Sequence, residues 1–186
     1  MTEPILIVIA GVPGTGKTTL AQLLVRELRA AYLRTDAIAS PLLRGHVTDD
    51  PSEAGRAAYL VAEALGFENL TNGVSVVVDG VNASHDRRVV WPDLAREAHV
   101  PLVMFETTLR DPHEHRRRVD ERTSGSQGFL GPSWEAVAGM PYDAWDEGRY
   151  GERRVIDMTE TGAGLRVAHD RIDSARSQRD QSSASS

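Results

Sequence analysis

The chain has 186 residues, 40% of them apolar and 26% charged, with a formal net charge of −6 and no cysteine. That is chain enough for one domain with a real core, and it excludes disulfides and thiolate metal sites; the acidic balance argues against a nucleic-acid partner, because duplex binding is driven by cations that neutralise phosphates. No apolar run reaches the roughly 18 residues of a membrane helix, and Met1-Thr2-Glu3-Pro4 puts no basic region ahead of residues 5–10, so the expectation is a cytoplasmic protein without a membrane partner.

Residues 5–10 form a continuous apolar run rich in β-branched side chains, which predicts a buried strand. Residues 11–16 are a glycine-rich turn, and Leu20, Leu23, Leu24 and Leu28 then recur at helical spacing. Residues 32–34 predict a second strand that ends at Thr35-Asp36. Pro41, Gly45 and Pro51 mark 40–52 as a loop on the substrate side. Residues 53–70 carry Ala57, Leu60, Val61, Ala64 and Leu65 on one helical face, with Asn72-Gly73 as the stop. A third strand covers 74–78 and ends in Asp79. Residues 86–98 read as a helix despite Pro92, 101–105 as the fourth strand and 111–122 as an arginine-rich helix. A glycine- and serine-rich connection covers 123–132 and a short helix 133–137. The fifth strand is 154–157, and a last helix lies near 165–172. The polar, serine-rich stretch 174–186 is expected to be disordered.

Five alternations of strand and helix without an internal repeat predict an α/β fold: a five-stranded parallel sheet covered on both faces, in one domain over 1–173 with a lid at about 110–132. Such sheets bind ligands at the carboxyl ends of their strands.

Gly11-Val12-Pro13-Gly14-Thr15-Gly16-Lys17-Thr18 matches G-x-x-x-x-G-K-[ST], the Walker A phosphate loop, in full. Glycines let the backbone curl so that successive N–H groups point inward, and the helix that follows aims its positive end at the same point. Lys17 then reaches the β- and γ-phosphates of ATP, and the Thr18 hydroxyl holds Mg²⁺. The chain has 20 arginines and one lysine, the skew of a GC-rich coding sequence, and the one lysine stands inside this loop. An ammonium is a compact charge on a flexible stem, where arginine offers a planar fork. GTPases share the loop, but no Asn-Lys-x-Asp guanine motif is present.

On the acceptor side, Asp36 at the end of the second strand is a candidate base for an attacking hydroxyl; the alternative is an N-cap. Asp79 at the end of the third strand is a candidate Mg²⁺ carboxylate of Walker B type, the alternative being an Asp-Gly turn. Asn82 and Arg87 or Arg88 are placed to touch an acceptor, or else start a solvated helix. Arg118 and Arg122, four apart on one helix face, are candidate lid residues that neutralise charge on the transferring phosphoryl group; a salt-bridged surface helix is the alternative. Arg116 and Arg117 are expected in solvent, His113 and His115 diverge and make no zinc pair, and Trp134, Tyr142 and Trp145 are read as core rather than pocket.

These residues resemble the small P-loop kinases related to the kinase half of polynucleotide kinase, gluconate kinase, chloramphenicol phosphotransferase and zeta toxins, a group often described as AAA-domain or ATP-binding proteins. The likeness rests on Gly11 to Thr19, Arg34-Thr35-Asp36, Val76-Val77-Val78-Asp79 with Asn82, the Arg118 and Arg122 pair, and Arg154-Val155-Ile156-Asp157. The resemblance implies an adenylate-kinase-like P-loop NTPase sandwich of three layers, Mg-ATP as donor, a catalytic Asp36, a lid arginine at 118 or 122, and Arg154 to Asp157 bordering the adenine. It also shows one departure: polynucleotide-kinase-like members tend to carry an arginine for the acceptor phosphate where this chain has Ala39, with Arg44 as a stand-in. The leading expectation is therefore transfer of the γ-phosphoryl group to a hydroxyl of a small molecule. The rivals are a 5′-hydroxyl polynucleotide kinase and a regulatory ATP-binding protein that is no kinase.

Overall fold

In the computed structural model, which describes residues 3–124 and 131–184, the apolar runs become a single parallel sheet. Its strands are β1 (Leu6–Ala10), β2 (Ala31–Arg34), β3 (Val76–Asp79), β4 (Leu102–Thr108) and β5 (Arg153–Asp157), in the order β2-β3-β1-β4-β5. Every neighbouring pair is parallel, with Val8 opposite both Val78 and Met104. Side chains alternate faces along a strand, so an unbroken apolar strand needs cover on both sides. Ile5, Ile7 and Ile9 pack with Leu20, Leu24, Phe105 and Ile172 on one face. Leu6 and Val8 pack with Tyr59, Trp91 and Leu94 on the other.

The first face is covered by α1 (Lys17–Leu28) and α9 (Thr161–Ala184). The second is covered by α3 (Pro51–Thr71) and α5 (Val90–Glu97), which follows the single turn α4 (His85–Arg88). Helix α2 (Thr35–Arg44) packs along α3. Helices α6 (Pro112–Ser124), α7 (Trp134–Ala138) and α8 (Glu147–Tyr150) lie between β4 and β5 in the chain. No helix among the described residues is long and apolar enough to cross a membrane.

Two sequence expectations are corrected. The loop predicted from residue 40 is helix α2 as far as Arg44, with Pro41 inside it; a proline removes one N–H from a helix, but packing along α3 holds the turn. Residues 174–184 are not the disordered tail expected but the last turns of α9, where Ala175 is buried in the core and Arg179 pairs with Glu3 at 3.5 Å. Of the connection predicted at 123–132, residues 125–130 lie outside the described residues.

A buried cation fixes the far side of the sheet. Arg88 is fully buried; it donates to the carbonyl oxygens of Asn82 (2.7 Å), Asp143 (2.9 Å), Ala144 (3.1 Å) and Ala83 (3.0 Å), and Tyr142 and Trp145 stack on it at 4.8 and 5.0 Å. It thereby fastens the stretch before α8 to the loop after β3. Replacing it with methionine keeps the volume but takes the donor from the carbonyls of Asn82, Asp143 and Ala144, while Ala83 O keeps the Asp143 N–H at 2.8 Å. We expect Arg88→Met to cost a few kcal/mol, on the order of 1–3 for each carbonyl left unsatisfied in the interior, read as a lowered urea midpoint.

Candidate active site

The carboxyl ends of β1, β2 and β3 converge on the loop between β1 and α1. Gly16 caps α1 from the left-handed region, at φ 97°, and a β-carbon there would lie 2.9 Å from Met158 Cβ. Gly14, at φ 87°, is just as confined: its β-carbon would lie 2.6 Å from Val119 Cγ2 on α6. Only glycine combines that backbone with that closeness. Thr15 closes the turn by donating to Val12 O at 2.8 Å and meets Thr107 on β4 at 2.7 Å, hydroxyl to hydroxyl.

Lys17 is the first residue of α1 and is 7% exposed. Its ammonium donates to Val12 O at 2.9 Å. Burial pushes its pKa down from 10.5 to about 8, against the opposing pull of Asp79 and then Asp36. Thr18 donates its hydroxyl to Asp79 Oδ2 at 2.8 Å. Asp79 is 3% exposed, ends β3, and also accepts from Tyr32 at 2.8 Å. Burial, and then the Asp79 charge, raise the Tyr32 phenol far above its ordinary value.

Asp36 lies in the first turn of α2, whose N-cap is Arg34, so it does not cap the helix. Its carboxylate is held instead by Arg34 at 3.4 Å and by Arg122, reaching across from α6, at 3.5 Å. Arg118, one turn earlier on α6, pairs with Glu114 at 2.7 Å and donates to Met158 O at 3.3 Å. Arg116 and Arg117 form exposed ion pairs along the helix, with Asp120 and with Glu114 and Glu121, a kind worth little in water.

Two cavities meet at Lys17 and Thr18. One, about 320 Å³, is lined by the loop with Thr19, Arg34, Arg118 and Arg122. The other, about 170 Å³, brings Asp36, Asp79 and Arg122 to the same two residues, under apolar walls from Val81, Pro132 and Met140. The structure thus gathers Lys17, Thr18, Asp36, Asp79, Arg118 and Arg122 in one place. It does not bring Arg154 there: that side chain lines a separate cavity of about 650 Å³ beside β5, with Arg110 and Asp157. Arg44 ends α2 on the surface.

The pair formed by Thr18 and Asp79 suits a small hard cation, which takes oxygen ligands and keeps its remaining places for phosphate and water. No group of three or more acidic, histidine or cysteine side chains among the described residues makes a metal site without such help.

Four residues have contacts at the site that the sequence reading did not assign to them. Tyr32 and Arg34 were legible in principle, since alternation along β2 sets them on one face. His115 had no sequence signal; its Nε2 meets Pro13 O at 2.7 Å and its ring stands edge-on to Trp134 at 5.1 Å. That contact and Val119 seat α6 on the loop. Tyr59, on α3, accepts the N–H of Asn82 at 2.9 Å. Asn82 itself is buried, accepting from Trp91 Nε1 at 2.9 Å, and Arg88 is the buried anchor described above. Neither touches an acceptor or starts a solvated helix, which corrects both readings of them.

A family model described as an AAA domain matches residues 6–129. A shikimate kinase from Trichormus variabilis is 28% identical over 108 residues, 53% of this chain and 60% of the relative. A second, from Thermosynechococcus vestitus, is 27% identical over 118 residues, 58% and 61%, so the chain spans about 60% of the length of the curated relatives it matches. Among solved structures, Kti12 from Chaetomium thermophilum, in complex with ADP-AlF3, superposes with a TM-score of 0.70 at 20% identity, over 91% of this chain and 98% of that one. A gluconokinase from Sinorhizobium meliloti superposes with a TM-score of 0.60 at 20% identity, over 98% and 99%. At these identities the superpositions speak for the fold alone.

Proposed function

The chain belongs to this AAA-domain family, and from that premise we propose that it is an ATP-dependent kinase that moves the γ-phosphoryl group to a hydroxyl of a small-molecule acceptor. Its fold is the small-molecule-kinase-like P-loop fold. One observation carries the finer reading: Asp36 opens onto the same cavity as Lys17, Thr18 and Asp79. A carboxylate facing a phosphate loop across a pocket of about 170 Å³ has the position of a base for an incoming hydroxyl.

In this reading the loop amides and Lys17 hold the β- and γ-phosphates, and Thr18 and Asp79 would hold Mg²⁺, which offsets phosphate charge. Asp36 takes the proton of the acceptor hydroxyl as its oxygen bonds to the γ-phosphorus, and the bond from that phosphorus to the β,γ-bridging oxygen breaks to release ADP. Arg118 and Arg122, carried by α6 as a lid, meet the charge on the transferring group. The kinase domain takes in all of α9, to Ala184, because Ala175 packs in its core. The apolar wall and the acidic net charge favour a small acceptor over a polynucleotide. Incubation with γ-labelled ATP and a small-molecule cell extract tests the reading: a labelled small molecule is expected, and release of inorganic phosphate alone would refute it.

The Lys17 pKa adds a pH signature. In the free protein Lys17 loses its proton as pH rises through about 8, whereas triphosphate favours the ammonium form. ATP binding should therefore take up almost no proton at pH 7 and approach one proton by about pH 9, with affinity falling over that range. Calorimetry in buffers of different ionisation enthalpy measures the uptake; none at pH 9 would reject the assignment.

A further inference from the structure

The arginines that line the two cavities, Arg34, Arg118 and Arg122, are committed, whereas Arg87 on α4 is not. Arg34 and Arg122 hold Asp36, Arg118 holds Glu114, and Arg88 is spent on main-chain carbonyls. Arg87 has no carboxylate partner among the described residues; its guanidinium lies over the Tyr59 ring, 4.8 Å from the centroid.

Tyr59 links that cation to the site. It is 8% exposed, and its hydroxyl accepts from Asn82 N–H at 2.9 Å while no described group accepts its own proton. The hydroxyl lies 2.9 Å from the point a Gly80 β-carbon would occupy, and Gly80 lines the smaller cavity with Asp36 and Lys17. Burial raises the Tyr59 pKa, and the Asn82 N–H and then the Arg87 guanidinium oppose that rise. A guanidinium presents several donors in a fixed fork suited to a carboxylate or phosphate, and a charge-assisted hydrogen bond to such a group is among the stronger ones. Among the described residues, then, a part-buried guanidinium without a carboxylate partner stands over a phenol whose proton no described group accepts.

We propose that the acceptor carries an anionic oxygen group, a carboxylate or a phosphate, held by Arg87 together with the Tyr59 hydroxyl so that the hydroxyl to be phosphorylated falls beside Asp36. This rests on the kinase reading of the site. The acceptor is then a hydroxy acid or a phosphorylated alcohol, and a neutral polyol lacks the group that orients it.

The test divides a small-molecule cell extract on an anion exchanger and incubates each fraction with γ-labelled ATP and the protein. Labelled product is expected from the retained fraction only. With a dilution series of that fraction, Arg87→Met should raise KM for the acceptor roughly 10- to 100-fold, with a much smaller change in kcat. Arg87→Lys should recover part of the loss, since it restores the charge without the fork. Titration with ATP checks that each variant keeps its phosphate loop. Labelled product from the unretained fraction, or an unchanged KM in Arg87→Met, overturns the proposal and leaves the kinase reading standing. Absence of label from both fractions overturns the kinase reading, and this inference with it.

Discussion

Replacing Lys17 with alanine is expected to lower ATP turnover by about 10³-fold or more without unfolding the protein. The size follows from what the ammonium does: it is the one cation inside the loop, in a site where water is displaced, and a single preorganised donor lost from such a site costs about 10²–10³ in rate. A formal charge facing a polyphosphate belongs at the upper end. The second half of the prediction follows from burial. Lys17 is 7% exposed and makes one hydrogen bond, to Val12 O, and its lowered pKa says that the fold disfavours its charge. Removing that charge should leave the melting temperature unchanged or higher. Label transfer from γ-labelled ATP and a thermal melt check the two halves. Turnover within tenfold of the parent would take Lys17 out of the mechanism, and a collapsed melting curve would make the rate loss uninformative.

Asp36→Asn is expected to separate binding from chemistry. The carboxylate touches no loop residue; it is held by Arg34 and Arg122 and opens onto the acceptor cavity. An amide of the same shape keeps the pocket filled but cannot take a proton. Phosphoryl transfer should fall by about 10²–10⁴-fold, the usual worth of a positioned general base. Calorimetric affinity for ATP should change little, because no phosphate contact is lost. Equal transfer by the variant and its parent would leave Asp36 a surface carboxylate in a salt bridge.

Much of this site could be read from the chain because its core is local. Eight consecutive residues carry the loop, and their types are dictated by backbone shape: glycine where φ is positive and a neighbouring element leaves no room for a β-carbon, as at Gly14 and Gly16. Asp36 and Asp79 were legible for a topological reason. Once the pattern implies parallel strands, residues at strand ends gather on one edge. The α2 helix was not legible, since Pro41 and Gly45 are stop signals and only packing along α3 overrules them.

The two neighbouring arginines mark the boundary most sharply. In the sequence Arg87 and Arg88 are equivalent. In the fold, Arg88 turns inward to carbonyls and rings contributed by residues 142–150, while Arg87 lies over Tyr59 from α3. The partners that separate them are remote in the chain, so no local pattern encodes the difference. By itself the sequence determined the sheet, the phosphate grip and the edge on which the reaction site must lie, because strand alternation and glycine backbone freedom are properties of short segments. Only the tertiary structure decided which charged groups meet there and which are locked in the core, because the cost of burying a charge depends on what surrounds it.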